Sequence, residues 1–220
     1  MHDLSHPARR PVDLRSLSFA VVDVETTGGR VYGGDRIMEV AVVHVKDGVA
    51  STAAEFLVDP QRPIPPFVSK LTGIRWEMVH EAPTFGDVAD QIQAALEGHI
   101  FVAHNVRFDW RFLSMELQRS TGRPLRGDRL CTVKFARKLL THLRRRSLDA
   151  LSWHYEVPIR ARHRAGGDAR ATAEILLRMF ADARRQDIDT WEQLTTFIRR
   201  PAPRAAWSYL PQPVRVENIA

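Results

Sequence analysis

A single cysteine, Cys131, in 220 residues excludes an intrachain disulfide and any zinc site built from several cysteines, and it agrees with a reducing compartment. Its thiol is expected as a small core side chain. No apolar run approaches the roughly 20 residues that cross a bilayer, so no membrane segment is expected. The stretch from Met1 to Arg15 is polar, contains Pro7 and Pro11, and lacks the apolar core of a secretory signal, which points to the cytoplasm. The length suits one sizeable domain and a tail.

Acidic residues are in the minority. The 32 Lys and Arg face 26 Asp and Glu, giving +6 and a pI near 10.1, so a polyanionic partner is a candidate. The distribution sharpens this, because Lys134 to Arg170 holds ten basic residues against three acidic ones, Asp149, Glu156 and Asp168. That segment either tracks phosphates or forms an ordinary solvated surface. With 44% hydrophobic and 26% charged residues, the composition is otherwise that of a globular protein.

Phe19 to Gly28 is an apolar segment of strand length that delivers two carboxylates just before a turn. Side chains alternate along a strand, so Asp23 and Glu25 project to the same side. Two carboxylates on one face of an apolar strand repel each other and lose hydration unless a cation or hydrogen-bond donors compensate. A divalent metal is the natural partner. The plainer alternative puts Glu25 in solvent at a strand end and makes Asp23 a turn cap.

After a glycine-rich loop at Gly28 to Gly34, strands are expected over about 37–45 and 49–58, joined by a Lys46-Asp47-Gly48 hairpin turn and therefore antiparallel. Four prolines between Asp59 and Pro66 carry the chain across the sheet edge, and a short helix over 67–71 ends at Thr72-Gly73. Val88, Ile92 and Leu96 recur at helical spacing behind a Thr84 cap. Ile100 to Ala103 reads as a short buried strand. His104 and Asn105 then lead into a helix on which Phe108, Phe112 and Met115 share a face. Asp109 lies in its first turn, where acidic residues are favoured for their own sake. A short edge strand over 129–132, a helix over 133–141 and a helix capped by Ser147 follow. A long amphipathic helix, marked by Thr172, Leu176 and Phe180, places Asp168 at its N-terminus and His163 on the loop before it.

Asp23-Val24-Glu25-Thr26-Thr27-Gly28, His104-Asn105-Val106-Arg107-Phe108-Asp109 and His163-Arg164-Ala165-Gly166-Gly167-Asp168 occur in that order. They resemble the three exonuclease motifs of the DEDDh (DnaQ-like) 3′→5′ exonuclease family, in the branch typified by the epsilon proofreading subunit of bacterial DNA polymerase III. Ser147-Leu148-Asp149-Ala150-Leu151 resembles a helix start of the same family. The resemblance runs from Asp23 to about Phe180. It implies a ribonuclease H-like α/β fold, a mixed five-stranded sheet flanked by helices in three α/β/α layers.

The resemblance also implies two divalent ions, Mg²⁺ or Mn²⁺, held by Asp23, Glu25, Asp109 and Asp168, with His163 taking the proton of the attacking water. It makes Thr26, Thr27, His104, Asn105 and Phe108 candidates for the 3′-terminal nucleotide, Phe108 either stacking on a base or packing in the core. Gly73 and Ile74 are further candidates, set against a helix cap and a core side chain. The implied partners are single-stranded DNA 3′ ends and a DNA polymerase subunit. Gly166-Gly167 departs from the bulkier residues often found between the histidine and the aspartate.

Three functions are compatible with these residues: hydrolysis from the 3′ end of single-stranded or frayed DNA, releasing nucleoside 5′-monophosphates in proofreading or freestanding repair; the same reaction on RNA; and nucleic-acid binding without catalysis. The expected organisation is a flexible basic arm over 1–16, an exonuclease domain over 17–187, and a C-terminal helix with a proline-containing tail over 188–220. In that tail, Trp207, Tyr209 and Leu210 either dock on a partner or fold back. Gln193-Leu194-Thr195-Thr196-Phe197 distantly resembles a sliding-clamp-binding pentapeptide, against the simpler expectation of an amphipathic helix.

Overall fold

The computed structural model describes residues 11–200. The first ten residues of the expected arm, and the tail aromatics Trp207 and Tyr209 with Leu210, lie outside the described residues. Strands β1 (Phe19–Thr26), β2 (Ile37–Lys46) and β3 (Val49–Leu57) form the expected antiparallel meander. Strands β4 (Ile100–Ala103) and β5 (Arg129–Cys131) add in parallel on the other side of β1, giving the order β3-β2-β1-β4-β5. The central strands read as Val- and Ala-rich runs because both of their faces are covered.

The helices are α1 (Pro66–Thr72), α2 (Trp76–Val79), α3 (Phe85–Leu96), α4 (Arg107–Thr121), α5 (Thr132–Leu139), α6 (Leu148–Tyr155), α7 (Ala165–Arg184) and α8 (Trp191–Arg199). Alternation along β1 divides its side chains between two cores. Phe19 and Val21 join residues of α5, α6, α7 and α8, whereas Ala20, Val22 and Val24 join residues of α3 and α4. This is the three-layer α/β/α arrangement expected. Small residues on α7, Ala165, Ala169 and Ala173, let it lie close to the sheet, and Phe180 meets Phe19 at 5.0 Å between ring centroids. Ile175, Leu176 and Met179 of the same helix are fully buried, each stabilising the fold by about 1.5–3 kcal/mol relative to exposure.

Two features of the sheet shape the site. First, β4 pairs only with Phe19, Ala20 and Val21 of β1, so the carboxylate-bearing half of β1 has no strand neighbour on that side. The chain reverses through Asn105, which takes the left-handed region at φ +72°, and α4 starts in the space that β4 leaves. Second, Glu25 and Glu39 are cross-strand partners in the β1–β2 register. A bidentate pair from Arg36 to the buried Glu116, at 2.6 and 2.9 Å, ties the start of β2 to α4.

The domain boundaries expected after residues 16 and 187 fall where packing is continuous. Leu14 is buried and donates its N–H to the Asp189 carbonyl at 2.8 Å, while Trp191 donates to the Val12 carbonyl at 2.9 Å. Helix α8 sends Leu194 into the core shared with α7 and packs Phe197 against it, while Gln193 and Thr196 of the same pentapeptide are exposed. Cys131 is a free, buried thiol. Among the described residues, no helix is long and apolar enough to cross a membrane.

Candidate active site

By alternation, Asp23 and Glu25 share the face of β1 that looks towards α7, and Asp168 is the fourth residue of that helix. Glu25, His163 and Asp168 offer ligand atoms that all lie within 4.8 Å of one another. Asp109 arrives from α4 and accepts the Val24 N–H at 3.3 Å, a donor left unpaired where β4 stops. Three separate segments thus bring four carboxyl groups to one end of β1, and His163 stands with them.

The four groups are electrostatically crowded. Burial pushes Asp23 well above the ordinary carboxylate range, with Asp109, Glu25 and Asp168 adding to the shift. Burial, then Asp168 and Glu39, raises Glu25 to about 7. Burial raises Asp109 to about 8 against the pull of its two backbone N–H donors. Asp168 is also raised, because burial outweighs the Arg162 guanidinium beside it. The buried Oδ1 of Asp168 has no hydrogen-bond partner. An orphaned carboxylate oxygen, hard oxygen donors and one imidazole make a donor set that a divalent cation fits.

Sequence reasoning passed over the residues that hold His163 in place. Arg164 donates to the Glu39 carboxylate at 2.6, 3.0 and 3.1 Å, and the Ala165 N–H reaches the same group at 2.8 Å. Glu39 is 1% exposed and pairs across the sheet with Glu25, so this ion pair fixes the histidine loop against the strand next to the metal-ligand candidates. Removing one member of a buried pair leaves the other charge uncompensated. Arg164→Ala is expected to destabilise the protein by about 2–4 kcal/mol, read from denaturant unfolding, and Glu39→Gln together with Arg164→Ala should recover part of that loss.

The glycine pair also has a physical reason. A Cβ on Gly167 would sit 1.8 Å from the Arg160 carbonyl oxygen, because the loop closes directly over the first turn of α7. At Gly166 the obstacle is only the end of the Glu55 side chain. Gly167→Ala should therefore cost about 2–4 kcal/mol, read from denaturant unfolding, and displace His163, whereas Gly166→Ala should be mild in the same measurement.

The remaining candidates divide. His104 accompanies the cluster: its Nδ1 is 2.9 Å from Thr132 Oγ1, and burial lowers it to about 4, so the ring is neutral at pH 7. Thr26 and Thr27 use their hydroxyls within the turn, Thr26 donating to the Gly28 carbonyl at 2.6 Å and Thr27 accepting the Arg36 N–H at 3.0 Å. Asn105 is exposed. Phe108 is half-buried and packs against Phe112 at 4.9 Å, on the α3–α4 side of the sheet. Gly73 is the left-handed C-cap of α1 and Ile74 is fully buried. Within the basic segment, Arg146, Arg162 and Arg164 turn inward to carbonyls and carboxylates, while Lys134, Arg137, Arg144, Arg145, Arg160 and Arg170 stay exposed.

Residues 20–176 match the family model RNase_T, described as exonuclease. A DNA polymerase III subunit epsilon-like protein of Rhodobacter capsulatus is 35% identical over 197 residues, which is 88% of this chain and 28% of that protein. A DNA polymerase III of PolC type from Caldanaerobacter subterraneus subsp. tengcongensis is 37% identical over 161 residues, 73% of this chain and 11% of that protein. The chain spans less than a third of the length of either relative. The solved structure of exonuclease X in complex with 5′ overhanging duplex DNA has a TM-score of 0.64 to this chain at 28% identity, covering 83% of this chain and 99% of that one. With its ribonuclease H-like fold and a family match over most of its length, this chain belongs to the RNase_T exonuclease family.

Proposed function

We propose that this chain is a DEDDh-type exonuclease that uses two divalent ions, Mg²⁺ or Mn²⁺, to hydrolyse phosphodiester bonds from the 3′ end of single-stranded or frayed DNA. The observation that carries this proposal is the crowding of Asp23, Glu25, Asp109 and Asp168 beside His163, with an orphaned buried oxygen on Asp168. Asp23, Glu25 and Asp168 would hold one ion, and Asp23, with Asp109 acting through water, the other. Bound there, the ions would activate a water and neutralise charge on the phosphoryl and leaving oxygens. His163 takes the proton from the attacking water, and the Glu39–Arg164 pair keeps its loop against β2, beside Glu25.

The neutral His104 ring, Asn105 and the turn at Thr26 and Thr27 border the place for the terminal nucleotide, with Phe108 at its edge. Lys134, Arg137, Arg144, Arg145 and Arg160 supply an exposed cationic surface for the entering strand. DNA as substrate, and association with a polymerase subunit in replication or repair in the cytoplasm, are proposed from the DNA complex of exonuclease X and the polymerase III relatives. Matched DNA and RNA oligomers, digested side by side with product identification, test the substrate. Faster release of nucleoside 5′-monophosphates from DNA is expected; faster release from RNA would replace the substrate, and tight binding without turnover would overturn the catalytic role.

A further inference from the structure

Arg162 stands one residue before His163 and links two carboxylates from different elements. Its Nη1 donates to Oδ2 of Asp168 and lies 3.3 Å from Nδ1 of His163. Its other edge grips Asp149, the second residue of α6, with Nε 2.8 Å from Oδ1 and Nη2 3.4 Å from Oδ2. The two partners differ in setting: the Asp168 side chain is 5% exposed and that of Asp149 is 64% exposed.

A guanidinium keeps its charge at any working pH and presents its donors as a rigid fork. On Asp168 it takes lone pairs that a cation held by Asp23, Glu25 and Asp168 would need. Two positive charges cannot share that carboxylate without strong repulsion in a site this buried. Asp149 gives the same side chain a second, solvent-facing anchor that it already holds, so leaving Asp168 requires only side-chain rotation. The contact with His163 Nδ1 needs a lone pair there, which places the ring proton on Nε2. Withdrawal of Arg162 would release Nδ1 at the same moment.

We propose that Arg162 is a positioning residue that competes with the divalent cation for Asp168 and withdraws to Asp149 when the cation binds. The proposal rests on the metal-site assignment above, and it makes Arg162 and Asp149 the pair that sets cation affinity, although neither is a ligand. Removing Arg162 removes a competitor. Removing Asp149 leaves Arg162 with only Asp168 to hold. The two substitutions therefore act in opposite directions.

Mn²⁺ binding to the full chain, followed by titration calorimetry without nucleic acid, tests this independently of turnover. Arg162→Gln is expected to bind Mn²⁺ about tenfold more tightly than wild type, since both a charge-assisted hydrogen bond and a repelling charge are lost. Asp149→Asn is expected to bind about threefold more weakly, and to have no effect in the Arg162→Gln background, because it acts only through Arg162. Thermal melts confirm that each variant is folded. Unchanged or weaker Mn²⁺ binding by Arg162→Gln would overturn the proposal, because a residue that merely braced the loop would behave in that way. An equal loss from Asp149→Asn in both backgrounds would overturn it too, by showing that Asp149 acts through its own charge. Wild-type protein that binds no Mn²⁺ would remove the metal-site assignment and this proposal together, whereas normal wild-type binding with no Arg162 effect would remove the proposal alone.

Discussion

Asp23→Asn is expected to lower the rate of phosphodiester hydrolysis by about 10³-fold or more while raising the melting temperature of the metal-free protein at pH 8. Both effects come from one cause. Asp23 is proposed as the carboxylate shared by both ions, so its loss removes ligation from each. In the absence of cations, the same carboxylate is unfavourable, because burial and three neighbouring acids all act against its charge. Asn keeps the shape and removes the charge, and the expected gain is about 1–3 kcal/mol. Activity would be followed on an oligonucleotide and stability by thermal melts in EDTA. A melting temperature that falls would mean that Asp23 is held by favourable contacts and that the cluster is not poised for a cation.

The pH dependence of stability should follow the same carboxyl groups. Glu25 moves from 4.5 to about 7 on folding, and Asp109 from 3.8 to about 8. A raised folded value means that the native state holds the proton more tightly than the unfolded chain. Below about pH 4 both states are protonated and the groups impose no penalty. From there to about pH 8 the unfolded state ionises first, so each group lowers stability by up to about 1.4 kcal/mol per pH unit until its folded value is passed. Metal-free protein should therefore be more stable at pH 5.5 than at pH 8, and Asp109→Asn should flatten the difference. Saturating Mg²⁺ or Mn²⁺ should stabilise more at pH 8, where fewer protons have to leave the ligands than at pH 5.5. Denaturant midpoints across this range check the sign; stability that rises with pH in EDTA would contradict it.

What could be read from the chain and what could not divide along physical lines. Asp23 and Glu25 were legible because a period of two forces them onto one face, and the helix bearing Asp168 was legible because Thr172, Leu176 and Phe180 mark its apolar side. The Arg164–Glu39 pair joins residues 125 apart, and Glu39 carries no local sign of burial until the β1–β2 register sets it opposite Glu25. Charge counting treats Lys134 to Arg170 as one basic surface, yet Arg162 and Arg164 are engaged by Asp149, Asp168 and Glu39, and Arg170 is paired on the surface with Glu174. The early end of β4 was equally hidden, because four apolar residues look alike whether they pair with the first or the second half of β1. Residues 11–16 gave no periodic signal, since they are held through backbone hydrogen bonds and the single buried side chain of Leu14.

Degradation of a 5′-labelled single-stranded DNA oligomer with Mg²⁺, with Mn²⁺ and with EDTA, beside the Asp23→Asn variant, tests the central claim most directly. A ladder that shortens from the 3′ end, and that disappears both in EDTA and in the variant, is the predicted result. Cleavage that persists in EDTA, or in the folded Asp23→Asn protein, would contradict a reaction centred on these four carboxylates.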